Sequence, residues 1–435
     1  MLPTQHLTEI LAEEVGSYRE RTYPPLTTLG LFIGQALSPD GACQDAVSRH
    51  LSERIALGSK ACSLSTGPYC KARQRLPLAL ITRLATTVSQ RLESAIPANW
   101  LWRGRAVKLV DGTTLSMPDT TANQDRYPQS GVQAVGLGFP LAMLVALISL
   151  STGAVLRWAT GPCRGKGTGE QALFRELMPH LAMGDIILAD RFYCNYFAIA
   201  MLTERGVDMV TRQHQSRITD FSKGQCLGQY DQLMTWTRPH RPTWMDEATY
   251  ARMPKTMTVR ETKVAGRILV STLTDAVAVT PSDLDALYGQ RWQVEVDLRS
   301  IKAVMGMDIL RAKSPAMIDK EIAVYILAYN LVCALIARAA AGAMLMARAL
   351  SFKATLQLLL AFQQQMRWAG RRAATSLCAH LLSAIGSMKL PSRPDRIEPR
   401  AIKRRPKNHA LLTVPRNVAR EKIVKARAEW LKVVP

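Results

Sequence analysis

The stretch LYGQRWQVEVDLRSIK, residues 287–302, decides how this chain is interpreted. Within it, Arg291 comes three positions after Tyr288, and Glu295 comes four positions after Arg291. Lys302 follows seven positions later. Steps of three, four and seven residues return to the same face of an α-helix. The spacing therefore predicts a helix with one carboxylate, two cations and a phenol on a single stripe, which suits a metal ion held beside a phosphate.

The residues on either side of the stripe set the bounds of the predicted helix. The run Thr280–Asp285 is typical of a helix start, with Ser282 as the expected cap, and the helix should end near Gly306. The remaining faces carry apolar side chains that can pack on a core: Leu284, Leu287, Val294, Leu298, Ile301 and Met305. A plain surface helix, with Glu295 paired to Arg291 and Arg299, is the alternative interpretation.

Composition points to a polyanionic partner. The chain has 435 residues, 48% of them hydrophobic, which is ample for a folded protein of two to four domains. Its net charge of +22 and pI near 10.0 favour nucleic acid as the partner. A ribosome-associated or membrane-surface protein is the compositional alternative.

Cysteine usage and apolar runs indicate a cytoplasmic protein without a membrane span. The eight cysteines are scattered, without a CxxC or zinc-type Cys/His spacing, as expected of reduced thiols in a cytosol. The N-terminal residues lack the basic and apolar regions of a secretory signal, so none is expected. The most apolar helical segment, Ile322–Ala337, is short for a bilayer and typical of a buried core helix.

The order of predicted elements favours an α/β multidomain protein. Residues 96–212 alternate as β, β, β, α, β, α, β, which predicts a mixed sheet with helices against it. The whole chain divides into a helical DNA-binding region (1–95), a first catalytic part (96–212), a β-rich insertion (213–276), a second catalytic part with the stripe helix (277–345), and a helical, basic C-terminal region (346–435).

Two basic segments flank this arrangement. In residues 63–77 a Ser/Thr/Gly/Pro turn opens a short helix with Lys71, Arg73 and Arg75, which suits major-groove or phosphate contacts. An ordinary solvated helix start is an equal alternative. Residues 391–435 carry thirteen Lys/Arg and four Asp/Glu around Lys403–Lys407, and this block is either a phosphate-binding or a merely solvated tail.

Two carboxylates, Asp111 and Asp190, directly follow predicted strands. If these strands are neighbours in one sheet, both side chains leave it at the same edge, where the later helix can bring Glu295. Three such oxygen donors suit two Mg²⁺ or Mn²⁺ ions that support in-line displacement at phosphorus. Beside them, Arg291 and Lys302 can grip the flanking phosphates. A phosphate or an unpaired base can be held by Tyr288.

With these residues the chain resembles the DDE transposases of the IS-four family of bacterial insertion sequences. The resemblance rests on the stripe, on Val110–Thr114 and on Leu188–Tyr193, and it spans roughly residues 60–420. It implies an RNase H-like catalytic domain, Mg²⁺ dependence, binding to the double-stranded DNA of terminal inverted repeats and of a target, a synaptic homodimer, and a nucleoid location. Arg212 resembles a DNA contact of the family.

One departure concerns a tryptophan. Family members that excise through a DNA hairpin carry a Trp on the strand before the stripe helix, where this chain has Ala265–Leu269 instead. Within residues 287–302, Trp292 falls on a helical face other than that of the stripe and is expected in the core. The β-rich insertion offers Trp236 or Trp244 as substitutes. The hairpin step is therefore open, whereas cleavage and strand transfer are unaffected.

Two other functions fit the same residues. A metal-dependent nuclease or resolvase would cut DNA without joining it to a target. A repressor-like DNA-binding protein or a decayed copy would have no chemistry, although such a protein has no reason to keep all three carboxylates. The sequence favours the transposase.

Overall fold

The computed structural model of the chain describes residues 4–163, 168–391 and 411–433. At its centre lies a nine-stranded sheet with the strand order β3-β2-β1-β4-β5-β9-β8-β7-β6. In chain order the strands are β1 (Val107–Ser116), β2 (Leu141–Ser149), β3 (Val155–Pro162), β4 (Ile186–Ala189), β5 (Asp208–Arg212), β6 (Gln225–Gly228), β7 (Asp231–Thr237), β8 (Thr256–Val264) and β9 (Arg267–Ser271).

Helices cover both faces of the sheet and form both ends of the described chain. They are α1 (Thr4–Val15), α2 (Pro25–Leu37), α3 (Cys43–Ala56), α4 (Gly67–Arg75), α5 (Leu78–Ser94), α6 (Thr121–Arg126), α7 (Glu170–Leu177), α8 (Tyr196–Glu204), α9 (Glu247–Arg252), α10 (Pro281–Gly289), α11 (Gln293–Arg299), α12 (Pro315–Gly342), α13 (Phe352–Trp368), α14 (Arg371–Ser387) and α15 (Arg416–Val433).

The first five strands have the predicted order and an RNase H-like arrangement. Strands β1, β2 and β3 pair antiparallel, whereas β4 and β5 run parallel to β1. All four residues of β4 are buried, as expected of a central parallel strand covered on both faces. The helices α7 and α8 pack on one face, and α5, α12 and the segment 281–304 pack on the other. The predicted mixed-sheet fold is confirmed.

The turn between β2 and β3 uses a glycine where the backbone requires one. Gly153 has φ of 77°, in the left-handed region that side chains disfavour. A Cβ there would lie 3.2 Å from Nη1 of Arg348, so the turn also leaves room for that guanidinium. The hairpin predicted at residues 151–153 is therefore present.

The β-rich insertion continues the central sheet. Strand β9 pairs antiparallel with β5, from Val210↔Ser271 to Arg212↔Leu269, and β8, β7 and β6 follow outward. The chain thus leaves the sheet after β5 and returns to pair with that same strand. As a consequence, the segment that follows β9 begins beside the middle of the sheet.

The most apolar helix is α12, which is longer than the predicted 16 residues. With 28 residues it is long enough to cross a bilayer, yet 89% of its most apolar stretch is buried inside the protein. Its Asn330 donates to the carbonyls of Ala85 and Val155 and accepts the amide of Val155. Such a fully bonded polar group, placed between α5 and β3, identifies α12 as the core helix that was predicted.

The stripe segment is helical from Pro281 to Val304, but its winding changes. A 3-10 turn at Gln290–Trp292 separates α10 from α11, and a π-helical turn at Ser300–Val304 follows. The expected cap Ser282 is wrong, because Thr280 is the capping residue and forms a reciprocal capping box with Asp283. The basic centre of the tail, Lys403–Lys407, lies outside the described residues.

Candidate active site

Asp111 and Asp190 leave the sheet at the same level and on the same face. The neighbouring strands β1 and β4 pair in parallel up to Leu109↔Leu188, and each aspartate comes two positions after its paired leucine. Because alternate residues of a strand share a face, both carboxylates lie on the leucine side, which is the side of the stripe segment. The predicted meeting of the two aspartates at one edge is therefore what the sheet produces.

One detail of the prediction is wrong. Asp111 was expected beyond the end of its strand, but β1 continues to Ser116 because it keeps its antiparallel partner β2 after β4 has ended. Asp190 does follow β4 directly. Its Oδ1 accepts the amide of Phe192 at 2.8 Å, and its carbonyl accepts the hydroxyl of Thr211 at 2.7 Å, which holds this turn against β5.

Arg291 connects the stripe segment to the sheet. Its Nη2 lies 2.6 Å from Oε1 of Glu295, and its Nη1 lies 3.7 Å from Oδ2 of Asp111. The Arg291–Glu295 pair of the alternative interpretation is thus formed. However, the same guanidinium also faces a carboxylate of the central strand, so the pair belongs to a site between two elements.

The other predicted DNA contacts lie around this pair. Lys302 donates from Nζ to Oγ1 of Thr113 at 2.9 Å and to the carbonyl of Thr114 at 2.8 Å, which pins the segment to β1. Tyr288 is 7% exposed, and burial, with the nearby charge of Asp190, raises the pKa of its phenol. Arg212, at the end of β5, is exposed.

The carboxyl of Asp111 holds its proton more tightly than an ordinary aspartate. Burial raises its pKa to about 6, and the negative charges of Glu170 and Asp190 act in the same direction. The amide of Gly112, which donates to Oδ1 at 2.9 Å, and the guanidinium of Arg291 oppose this rise. Mutually repelling acids in a half-buried edge are the arrangement that a cation stabilises.

Sequence reasoning missed one acid of this group, Glu170. It is the first residue of α7, on the opposite face of the sheet, and the phenol of Tyr193 donates to its Oε1 at 2.7 Å. The sequence signal was weak, because an acid in the first turn of a helix is common for reasons of capping and helix dipole.

The donor set fits a hard divalent ion in its chemistry, since its members are carboxylates and backbone or hydroxyl oxygens. Among the residues that the structure describes, no three acidic, histidine or cysteine side chains stand close enough together to hold a metal ion as they are. Arg291 instead lies between Asp111 and Glu295, so metal binding requires these side chains to rearrange.

Comparisons with known proteins identify the family of this chain. The model of the family described as "Transposase DDE domain" matches residues 102–331. The chain belongs to the transposase DDE domain family. It is 24% identical over 417 residues to "Transposase InsG for insertion sequence element IS4" of Escherichia coli (strain K12), covering 93% of this chain and 91% of that protein. The resemblance to the IS-four family is thereby confirmed, and the chain is a DNA transposase.

A search of solved structures matched this DDE transposase to one chain at low similarity. The chain described as "Cryo-EM structure of piggyBac transposase synaptic complex with hairpin DNA (SNHP)" superposes with a TM-score of 0.43 and 13% identity, covering 89% of this chain and 82% of that one. Transposase DDE domains in general use a divalent metal ion.

One tryptophan of this DDE transposase is not where it was expected, and the two suggested substitutes differ in their exposure. Trp292 was expected in the core but is 51% exposed, because the 3-10 turn between α10 and α11 brings it to the surface. Trp236 is unavailable to a base, since it is buried, donates to Glu261 at 3.0 Å and is covered by Arg217. Trp244 is half-exposed, and the guanidinium carbon Cζ of Arg175 lies over its ring, 3.7 Å from the ring centre.

The basic side chains of α4, in the N-terminal region, differ in their access to solvent. Arg73 points inward, donates to Gln35 and to the sulfur of Cys43, and is therefore not available to a phosphate. In contrast, Lys71 and Arg75 line an open groove of about 950 Å³, to which Arg19 and Arg21 also contribute. Only part of the predicted basic face can thus meet DNA.

Proposed function

We propose that this transposase binds the terminal inverted repeats of its own insertion sequence, cuts the element's ends and joins them to target DNA. Asp111, Asp190 and Glu295 would hold two Mg²⁺ or Mn²⁺ ions. When bound, such ions activate the attacking water or 3′-hydroxyl and neutralise the leaving oxygen.

The residues around the carboxylates would hold the DNA. Arg291 is suited to gripping a phosphate, because its planar fork can exchange the carboxylates for phosphate oxygens of similar geometry. Lys302 donates to a hydroxyl and a backbone carbonyl, so its positive charge is not neutralised by either partner. Arg212, whose charge acts on Tyr288, would extend the positive surface, and the neutral phenol of Tyr288 would hydrogen-bond a phosphate or stack on an unpaired base.

A single observation carries the proposal. A residue of the stripe segment, Arg291, reaches both Glu295 and Asp111, while Asp190 stands on the strand next to Asp111 at the same level. The sheet pairing puts Asp111 and Asp190 at one level, and Arg291 links Asp111 to Glu295, which supports a common site for the three acids. A surface helix stabilised only by its own ion pairs does not account for the contact of Arg291 with Asp111 on the central strand β1.

The test uses Glu295→Gln in the full chain and duplexes that carry the DNA ends flanking the gene. Loss of a metal-binding carboxylate should lower Mg²⁺-dependent cleavage by at least about a hundredfold, and binding of the ends should remain measurable. Glu204→Gln, at an exposed position on α8, is the matched control and should cleave normally. Full cleavage by Glu295→Gln would remove the catalytic assignment.

A joining assay separates the transposase from a nuclease of the same fold. Pre-cut ends with free 3′-hydroxyls are incubated with a circular target and Mg²⁺, and the products are sized on a gel. We expect joined products with the parent and none with Glu295→Gln. Cleavage of the ends without any joining would favour the hydrolytic alternative.

Assembly and location follow from the same proposal. Two chains should come together on two ends, which light scattering of the protein with end duplexes would show as a doubled protein mass. We expect the protein in the bacterial cytoplasm on the nucleoid, without membrane association, because its excess of 22 positive charges attracts DNA. A tagged protein found at the envelope would contradict this.

A further inference from the structure

The sheet carries an unusual contact one residue after Asp111. A Cβ added to Gly112 would lie 2.6 Å from both the carboxyl carbon and Oε1 of Glu170, closer than real Cβ atoms approach. Successive residues of a strand face opposite sides, so Asp111 faces the stripe segment and Gly112 faces α7. The missing side chain of Gly112 therefore lets the carboxylate of Glu170 press against the strand from behind.

Glu170 is held in this position from the turn that carries Asp190. The phenol of Tyr193, which is fully buried, donates to Oε1 at 2.7 Å. Next to Glu170, the side-chain Nε2 of Gln171 donates to the backbone carbonyl of Phe192 at 2.7 Å. Two neighbouring residues of α7 are thus bonded to the turn after Asp190. These bonds hold the Glu170 carboxylate beside β1 and the end of β4.

The Glu170 carboxylate accepts hydrogen bonds from the phenol of Tyr193 and from the backbone amide of Gly112, and it lies close to the negative charges of Asp111 and Asp190. A glutamine at this position could accept the same hydrogen bonds without repulsion from these two acids. An acid that lies close to two others, against a strand position without a side chain, suits a cation bound among them.

Resting on the proposed function, we propose that Glu170 is a fourth carboxylate of the divalent-cation site, reaching it from the face of the sheet opposite Glu295. The cation at Asp111 and Asp190 would then receive a carboxylate from each face of the sheet. Helix α7 would supply Glu170 through the gap at Gly112, and the stripe segment would supply Glu295. Tyr193 acts as the positioning residue that orients the Glu170 carboxylate.

The test measures metal binding directly, without DNA or turnover. Mn²⁺ is titrated into the full chain at pH 8, where the acids are ionised, and free Mn²⁺ is followed by electron paramagnetic resonance. Glu170→Gln should weaken Mn²⁺ binding by about tenfold, as is typical when a group that supports a metal site is lost. Glu176→Gln, an exposed acid on the same helix, is the control and should bind as the parent does.

A second variant tests the gap itself. Gly112→Ala keeps every acid but forces the Glu170 carboxylate away from the strand, because the new methyl group would occupy its place. It should weaken Mn²⁺ binding in the same direction as Glu170→Gln, and it carries the test if Glu170→Gln does not fold. Unchanged Mn²⁺ affinity in either folded variant overturns the inference.

Failure of this inference can be told apart from failure of the proposed function. Asp111→Asn and Asp190→Asn are titrated alongside. If both lose Mn²⁺ and Glu170→Gln does not, Glu170 is only a structural residue and the proposed catalytic site stands. If neither aspartate variant loses Mn²⁺, the metal assignment of the proposed function itself is wrong.

Discussion

Arg291 on the stripe segment lies 3.7 Å from Asp111 in the middle of the central sheet. The same guanidinium is 2.6 Å from Glu295 on its own helical segment. A planar, always charged group can face two carboxylates at once, whereas an ammonium acts as a single point charge. The contact therefore sets how the segment that carries Glu295 lies against the strand that carries Asp111.

Replacing Arg291 should separate the two acids. Arg291→Ala leaves both without their shared cation, and Arg291→Lys keeps the charge without the fork. We expect the alanine variant to bind end duplexes about tenfold to a hundredfold more weakly, the value of one or two charge-assisted bonds, with the lysine variant in between. Fluorescence anisotropy measures this, and the exposed Arg299→Ala is the control. Equal affinity of Arg291→Ala and the parent would contradict it.

Asp111 should make stability depend on pH. Burial raises its pKa to about 6 from the usual value of 3.8, so between these pH values the folded chain binds more protons than the unfolded chain. The free energy of unfolding therefore falls as pH rises through this window, by about 2–3 kcal/mol in total.

The variant Asp111→Asn does not titrate and escapes this loss. In EDTA at pH 8 it should be more stable than the parent by up to about 2–3 kcal/mol, and the difference should disappear below about pH 4. Urea denaturation at several pH values measures the difference, with the exposed Asp125→Asn as control. A variant that is less stable than the parent at pH 8 would show that Asp111 is not destabilised by its burial.

The insertion should support the stripe segment through a buried ion pair. Arg260 on β8 is fully buried, bonds Asp231 on β7 at 2.8 and 2.6 Å, and donates to the carbonyl of Val279 at 2.6 Å, just before the cap Thr280. Asp231→Ala leaves Arg260 buried and unpaired, which should cost about 3–5 kcal/mol in urea denaturation.

A double variant provides the comparison for that pair. Asp231→Leu combined with Arg260→Met removes both charges, so it should cost much less than Asp231→Ala alone. Asp220→Ala, an exposed acid of the same insertion, should leave stability nearly unchanged. If the single and double variants lose the same stability, the pair is not the support inferred here.

Lys302 should be an anchor of the stripe segment as well as a cation for DNA. Lys302→Met loses the bonds to Thr113 and Thr114, so we expect a loss of about 1–2 kcal/mol in the free energy of unfolding. Lys313→Met, at an exposed position, is the control and should have little effect. If Lys302→Met is as stable as the control, the anchoring role is wrong.

Local pattern was sufficient for much of the fold and the site. The spacing of four residues brought Arg291 and Glu295 together, because the chain stays helical from the 3-10 turn into α11, and the π-helical turn comes only after both residues. The positions of Asp111 and Asp190 followed from the ends of apolar runs, since the strand period is short and regular.

Exact local geometry and contacts between distant segments could not be predicted from the sequence. Trp292 looked like a core residue because its exposure depends on the turn between α10 and α11, and Ser282 looked like the cap because both it and Thr280 have a suitable hydroxyl. Glu170 gave only a weak signal, since its position becomes informative only through its contact with Gly112 on another strand.

The sequence by itself therefore determined most of the elements, the charge and the three candidate acids Asp111, Asp190 and Glu295, because these follow from periodicity and residue chemistry. Only the tertiary structure decided that Arg291 faces Asp111, that the insertion pairs with β5 and that a fourth acid approaches from behind the sheet. The physical reason is that strand pairing and helix packing bring together residues that are far apart in the sequence. Their separation along the chain does not show which of them will meet.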